Sequence, residues 1–501
     1  MTETKKNLLI TLALFSLSFA LRLSLISKGV YHNDCLCLVM QSLETVRTHT
    51  IHYLHGHGHP LTAIMGALSV KLMPLFACDD PVLAVNMMSV VLSSLTVPII
   101  YLFAKKLFDQ PTGFLSAVLF SLNPIFLSIS VYGNSHTIVI LFVSLGVYFL
   151  ISHLKNRKNI HVWGAAIFFG LAAAARIQDL LIIAVPLSVL YFLGLDKDTG
   201  KDPQDPPAKK VRIYFAALIL IMFIAAMFYW PVLNSQKAES VDGFMRRIIF
   251  STYGYRIEPF FTYGFGYLLT SSSYIGIGTA LAGLLGMARK RPKTACSLLL
   301  WFAFPFCVFS MMNVVTPRYF SIAMIPWSIC QAYILNILLK QPKPWFRYTA
   351  IGVFLLNCSV MMYAIATPLM FRHQYALTDD FGRWIARITP PSAEIISMDE
   401  FLFVQYYGQR TLLGRPIFQY DDSLKELKAF KEKLDEKLDS RVPVYITTFG
   451  LVTYDVSQTF INFMNNNYTL VPVGTHWVED WHPGELEDMI IECVLYRVLK
   501  K

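Results

Sequence analysis

The sequence predicts an α-helical polytopic membrane domain of about eleven transmembrane helices, followed by a small extracytoplasmic α/β domain. Three observations predict it. The 501 residues are 55% hydrophobic and 15% charged, with a mean hydropathy of +0.48, against about 25% charged in soluble proteins. The apolar residues come in long runs separated by short basic clusters, the pattern of a chain that crosses a bilayer repeatedly. From about Arg372 the composition changes, and residues 371–501 hold 14 Lys+Arg against 19 Asp+Glu. A soluble enzyme, a disordered chain and a disulfide scaffold are excluded by the same numbers. The overall charge of +10 is not a nucleic-acid signal, because it resides in the loops of the apolar part.

Eleven runs have spanning length or nearly so: 8–27, 82–104, 113–131, 137–154, 160–175, 179–195, 213–231, 264–287, 294–312, 319–339 and 348–370. The first lacks a small-residue cleavage site and reads as a span rather than a signal peptide. A twelfth stretch, 61–76, is short and bracketed by Pro60 and Pro74; it reads as an interfacial helix. With that choice, the N-terminus and the loops 105–112, 155–159, 196–212, 288–293 and 340–347 carry 19 Lys+Arg, whereas the opposite loops carry 9. The positive-inside rule then puts the N-terminus in the cytoplasm and residues 371–501 outside. Domain 1–370 has long outer loops at 28–81 and 232–263. Loop 196–212, with Pro203, Pro206 and Pro207, reads as a cytoplasmic linker. The eight cysteines show no framework spacing and read as small buried hydrophobes.

In domain 371–501, Asp421–Ser440 predicts a helix opened by a Ser423/Glu426 capping box, with Leu424, Leu427, Leu434 and Leu438 near one face. β-type runs surround it at Glu394–Met398, Val442–Thr448, Leu470–Val473 and Ile490–Leu499.

The residues able to do chemistry gather in the outer loops. Asp34, in Tyr31-His32-Asn33-Asp34, follows the first span. A partly desolvated carboxylate there could serve as a general base, and it could equally cap the apolar helix that follows. Six of the twelve histidines fall between 32 and 59. His55, His57 and His59 have a spacing that could converge on a metal, but no Cys or carboxylate recurs at ligand distance. Hydrogen bonding to phosphate or hydroxyl groups, or a plain polar loop, are the other readings, so a divalent metal is allowed but not favoured and no other cofactor is implied. Tyr132-Gly133-Asn134-Ser135-His136 is a polar turn on the same side, as is Arg176-Ile177-Gln178-Asp179. Arg318 in Thr316-Pro317-Arg318-Tyr319 either snorkels or clamps a phosphate, and Arg246, Arg247 and Arg256 in the second long loop could do the same. There is no Walker loop, dinucleotide fingerprint, HExxH or GxSxG.

In order along the chain, several segments resemble the GT-C superfamily of membrane glycosyltransferases, near the polyprenyl-phosphate-dependent protein mannosyltransferases and aminoarabinose transferases. They are Arg22-Leu23 followed by Asp34, Gly58-His59-Pro60-Leu61, Tyr101–Phe108, Ala172–Arg176 with the apolar run to Pro186, and Pro317-Arg318-Tyr319. In the tail, Trp384-Ile385, Thr389–Ser397 and Tyr406–Arg410 resemble the entry to the family's outer domain. The resemblance implies an inverting transfer from a polyprenyl-phosphate-linked sugar in the bilayer to a lipid, glycan or protein acceptor on the outer face, with no nucleic acid involved. It makes Asp34 the base, and Arg318 and Arg176 candidates to stabilise the phosphate leaving group. His32, Asn33, His57, His59, Asn134, His136, Arg256 and Tyr319 are the remaining candidate substrate contacts. A bacterial inner membrane fits better than the endoplasmic reticulum. The chain departs from the family pattern in having Asp34-Cys35 where relatives have Asp-Glu, and Asn134-Ser135-His136 where many have an Asp. A non-catalytic polyprenyl-lipid carrier or assembly factor is the alternative. A transporter fits less well, because the polar residues lie in loops rather than mid-span.

Overall fold

The computed structural model describes residues 2–31, 33–52, 59–76, 79–196, 206–235, 260–311, 316–398, 401–416, 424–453, 455, 458–480 and 489–501. The chain divides into two compact units. One comprises Met1–Ile26 and Leu38–Phe371, the other Ser27–Cys37, Arg372–Pro483 and Asp488–Lys501. The segment carrying Asp34, assigned by sequence to a loop of the membrane domain, therefore clusters with the second unit.

The first unit is helical. Its elements up to the middle of the chain are α1 (Glu3–Leu23), α2 (Asn33–Thr48, which enters from the second unit), α3 (Pro60–Leu72), α4 (Pro81–Leu107), α5 (Gln110–Ser121), α6 (Pro124–Ile129), α7 (His136–Asn156), α8 (Asn159–Ala175), α9 (Ile177–Leu193) and α10 (Pro207–Ser235). Helices Phe265–Lys290, Pro292–Ser310, Met324–Leu339 and Pro344–Gln374 follow. Among the described residues, seven helical segments are long and apolar enough to cross a membrane: Glu3–Leu23, Pro81–Leu107, His136–Asn156, Ala208–Pro231, Phe260–Lys290, Pro292–Ser310 and Pro344–Ile388. Pro60–Phe76, Asn159–Ala175, Ile177–Leu193 and Met324–Leu339 are apolar but shorter. On α10, Ile219, Met222, Phe223, Met227 and Trp230 are each more than half exposed, an apolar face that lipid rather than water would cover. The chain is a multi-pass membrane protein.

The run 113–131 is not one span. α5 stops at Ser121 and α6 begins at Pro124. Pro124 has no N–H to continue the ladder, and Asn123 caps the new helix by accepting from the Phe126 amide at 3.3 Å. Arg22, fully buried on α1, takes the groups that the break exposes. Its guanidinium donates to Ser121 O at 3.2 Å, to Ser121 Oγ at 3.1 Å and to Ser18 Oγ at 2.6 Å. Asn123 Nδ2 donates to Ser271 O at 3.0 Å, near a second interruption where Ser273 has φ 56° inside the helix Phe265–Lys290. Non-helical backbone at membrane depth is tolerated only when its polar groups are met inside the protein. Ser273 Oγ, which donates to Asn357 Oδ1 at 2.9 Å and accepts from the Gly276 amide at 3.1 Å, meets that condition.

The second unit contains a five-stranded sheet of β1 (Glu394–Ile396), β2 (Thr411–Leu412), β3 (Val444–Thr447), β4 (Tyr468–Asp480) and β5 (Met489–Lys500), in the order β2-β1-β3-β5-β4. β1 runs parallel to β2 and β3, and β5 runs antiparallel to β3 and β4. Alternation along the strands builds a core on each face. Ile396, Val444, Ile446 and Val498 pack with Phe430, Leu434 and Phe460 on one side. Ile395, Tyr445 and Leu495 pack with Phe381, Trp384 and Ile385 on the other. The expected helix is present as Leu424–Asp439, and Ser423 of its expected capping box lies outside the described residues. The two-residue β2 left no sequence signal, and β4 is far longer than the run 470–473 that announced it.

Candidate functional site

Three chain breaks in the first unit bring polar side chains together. The first is the turn 132–136, which rests on α4. Asn86 Oδ1 accepts from the Gly133 amide at 2.8 Å, and Ser89 Oγ accepts from the Asn134 amide at 3.3 Å. Gly133 is required by this approach, because a Cβ there would lie 2.3 Å from Val85 Cγ1. Asn134 is spent on the turn itself. Its Nδ2 donates to Ile129 O at 2.5 Å and Tyr132 O at 2.8 Å, and its Oδ1 accepts from the Thr137 amide at 3.1 Å. Asn134 is thus a turn builder, in place of the substrate contact expected from sequence. The next residue but one, His136, opens α7 and is 3% exposed.

The second break is the single residue between α8 and α9. Arg176 is extended, at φ −164°, and its Nε donates to Asp179 Oδ1 at 3.0 Å. Asp179 is 4% exposed, and its other oxygen, Oδ2, lies 3.5 Å from His136 Nδ1. The carboxylate therefore stands between a guanidinium and an imidazole, an arrangement that orients both rings of donors and balances the buried charge.

The third break is the short 3-10 turn Pro317–Ile322. It sets the half-buried Tyr319 ring in the middle of the group. Arg176 lies over that ring with its guanidinium carbon 5.4 Å from the centroid, and Arg318 lies 5.7 Å away. The His136 ring is 5.6 Å distant, and the buried Phe309 ring stacks at 5.3 Å. Cations over an aromatic face are attracted by its quadrupole, so one tyrosine holds two arginines close despite their like charge.

His59 joins from α3. It has φ 39° immediately before Pro60, and its Nδ1 is 3.1 Å from Ala175 O, which also accepts from Thr62 Oγ1 at 3.1 Å. His59 thus buttresses the carbonyl next to Arg176. Among the described residues, three buried polar atoms of this region have no hydrogen-bond partner: His136 Nε2, Gln178 Oε1 and Thr316 Oγ1. Buried polar atoms are ordinarily satisfied, so such a group marks where a polar ligand would find partners.

The structure brings together His59, His136, Arg176, Arg318 and Tyr319. It adds Asp179, to which the sequence alone gives no role. The signal was the Arg176/Asp179 pair three residues apart at a helix start. Asn86 and Ser89, polar positions at helical spacing in an apolar run, were missed outright. Asp34 and Asn33 belong to the second unit, in the first turn of α2, where Asp34 is exposed. The residue that precedes α2, His32, lies outside the described residues. Within that unit the approach to Asp34 is fixed: Lys28 N donates to Arg372 O at 2.9 Å, Thr378 Oγ1 donates to Val30 O at 2.9 Å, and Arg372 lies over the Tyr31 ring at 3.9 Å. His32, His55, His57, Arg246, Arg247 and Arg256 lie outside the described residues. His52 is held locally by Thr48 Oγ1 at 2.9 Å. Among the described residues, no three His, Cys, Asp or Glu side chains are grouped to hold a metal ion.

Residues 59–230 match the family described as dolichyl-phosphate-mannose-protein mannosyltransferase. The chain is similar in fold to ArnT from Cupriavidus metallidurans bound to undecaprenyl phosphate, with a TM-score of 0.60 at 12% identity over 99% of this chain and 98% of that one. This is the GT-C fold. It is shared with the archaeal oligosaccharyltransferase AglB from Archaeoglobus fulgidus in complex with an inhibitory peptide and a dolichol-phosphate, at a TM-score of 0.58 and 13% identity over 94% of this chain and 74% of that one. By sequence, an uncharacterized protein of Aquifex aeolicus (strain VF5) is 24% identical over 298 residues, 56% of this chain and 57% of the relative's length. The family match spans His59, His136, Arg176 and Asp179, and two of these, His136 and Arg176, meet at the Tyr319 ring.

Proposed function

We propose that the chain is a glycosyltransferase that moves a sugar from a polyprenyl-phosphate-linked donor to an acceptor on the extracytoplasmic face. The observation that carries this reading is the Tyr319 cluster, where two arginines and an imidazole with an unpartnered Nε2 share one ring. The GT-C structures support it, since ArnT is bound to undecaprenyl phosphate and AglB is in complex with a dolichol-phosphate. In the proposed step the acceptor oxygen attacks the anomeric carbon from the face opposite the phosphate. The C1–O bond breaks, and the electron pair leaves on polyprenyl phosphate with inversion at C1. Arg318 stabilises the charge growing on that phosphate. Arg176, oriented by Asp179, adds its field, and His136 Nε2 serves as a hydrogen-bonding contact to sugar or phosphate. Asp34 receives the acceptor proton as general base. Asp34 followed by Cys35 offers one anionic ligand, a poor set for a divalent cation, and the proposed step uses no metal.

The charge asymmetry of the loops supports a cytoplasmic N-terminus and an outer second unit; a bacterial inner membrane, rather than the endoplasmic reticulum, is part of the same proposal. The test is transfer from radiolabelled polyprenyl-phosphate sugars in membrane vesicles. Wild type should transfer one of them, with Arg318→Gln and Asp34→Asn strongly reduced. Wild-type rates for Asp34→Asn with the cognate donor would remove the base assignment alone. The second reading, a non-catalytic polyprenyl-lipid-binding protein, is favoured by the exposed Asp34 without a second carboxylate beside it. Tight binding of polyprenyl phosphate with no transfer from any donor would establish it.

A further inference from the structure

α8, α9 and α10, with Leu150 of α7, line a half-open cavity of about 250 Å³. Its wall is mostly carbon, supplied by residues such as Ala166, Phe169, Ala173, Leu187 and Ala217. Water needs two to four polar partners to remain in such a space, and this wall does not offer them along most of its length. Its hydroxyl groups lie together at one end. There Ser188 Oγ is 2.7 Å from Tyr214 Oη, and Tyr191 Oη donates to Lys210 O at 3.1 Å. The His153 ring stacks on Tyr191, and its Nδ1 is 3.2 Å from Lys158 O. Two separate contacts therefore bring Lys210 and Lys158 to the same end of the cavity. Lys209 and Arg212 flank the first, and Lys155 and Arg157 precede the second. This is the end with the chain's basic loops. Ala173, Ile177 and Ala225 line the far end. Arg176, although adjacent to Ile177 in sequence, is not part of the wall, because its guanidinium is held by Asp179 and Tyr319.

We propose that this cavity seats one acyl chain of an anionic phospholipid, drawn from the leaflet on the basic side, with Lys158, Lys209 and Lys210 around its headgroup phosphate. Charge complementarity selects this occupant. Basic pockets between membrane helices draw anionic headgroups, and the tyrosine hydroxyls sit where the glycerol region of such a lipid would lie. A polyprenyl chain whose phosphate sat at Arg318 would need its polar end at the opposite, carbon-lined end. The bound lipid fills the space between α8 and α10 and holds the otherwise weakly buried α10 in place. The proposal is independent of the transferase reading.

The test uses the full-length protein in vesicles, with two photoreactive lipids carrying a diazirine midway along one acyl chain: a phosphatidylglycerol and a phosphatidylcholine. Cross-links are mapped by peptide mass spectrometry. The phosphatidylglycerol is expected to label α8 and α10 around Ala166 and Ala217, exceeding the phosphatidylcholine by about fivefold or more. Lys209→Gln with Lys210→Gln should abolish that preference while leaving labelling in place. Ala217→Trp, or Ala166→Leu if the first does not fold, should remove labelling at the cavity. Equal labelling by the two lipids in wild type, labelling elsewhere, or labelling unchanged by the filling variants would overturn the proposal. Displacement of the phosphatidylglycerol by an equimolar polyprenyl phosphate would overturn it too, by assigning the cavity to the isoprenoid. The wild-type map needs no variant and decides the location on its own.

Discussion

At the Asp109 corner of the helical unit, a partly exposed carboxylate is met by Lys340, by Asn336 Nδ2 at 2.8 Å and by the Thr112 amide at 3.0 Å. At the Asp179 corner, a carboxylate 4% exposed holds Arg176 and faces a histidine that has a nitrogen to spare. α4 separates the two corners. Asn86 and Ser89 near its start support the turn of His136, and Asp109 follows its end, a rise of about 30 Å. The first corner caps helices and lies among the basic loops, so its charges answer to topology and to local structure. The second buries opposite charges together and leaves polar atoms unsatisfied, which costs stability that a purely structural site has no reason to bear. The second corner is the one that the proposed function uses.

The largest effect that would break this contrast is expected for Asp179→Ala. It leaves Arg176 buried without its carboxylate and should cost about 3–5 kcal/mol, read as a lower Tm in detergent. Asp179→Leu combined with Arg176→Met should recover most of that stability while transfer stays lost, because an apolar pair of similar volume is tolerated where a lone charge is not. An active double variant would show that the pair is only structural. Arg318→Gln should lower kcat with the cognate donor by about a hundredfold with Tm unchanged, since Arg318 is only half-buried. Gly133→Ala presses a methyl into Val85 and should cost about 1–3 kcal/mol, with the loss of activity following the displaced His136.

The smallest effect is expected at the other corner. Partial burial pushes the Asp109 carboxyl up, but hydrogen bonds from Lys340, Thr112 and Asn336 outweigh it and hold the group down at about 2, below its ordinary 3.8. A folded-state value below the unfolded one stabilises the protein above about pH 4, and that contribution disappears as pH falls towards 2. Asp109→Asn should therefore cost under about 1 kcal/mol at pH 7, as exposed pairs do. The variant should also lose less Tm than wild type between pH 7 and pH 3.

The sequence marked where the site would be more accurately than which residues compose it. Arg176, Arg318, Tyr319 and His136 were legible because charged and aromatic residues at the ends of apolar runs have few structural reasons to be there. Asn134 was misassigned, since a turn amide and a ligand contact look alike until the turn's own carbonyls are seen to occupy it. Asp179 was hidden inside the start of an apolar run. The break within 113–131 was missed for a similar reason. Its apolar residues continue across Asn123-Pro124, and only Arg22, 99 residues before Ser121, accounts for the freed carbonyl.

Composition and charge order by themselves determined a multi-pass chain with a following α/β region, because hydropathy, loop charge and strand alternation are local properties that survive without a fold. Tertiary structure decided that Tyr319 gathers Arg176, Arg318 and His136 from three separate chain breaks, and that Asp34 clusters with the second unit. Apart from the neighbours Arg318 and Tyr319, those outcomes depend on contacts between residues more than a hundred positions apart, which close only when helices pack and buried charges must find partners.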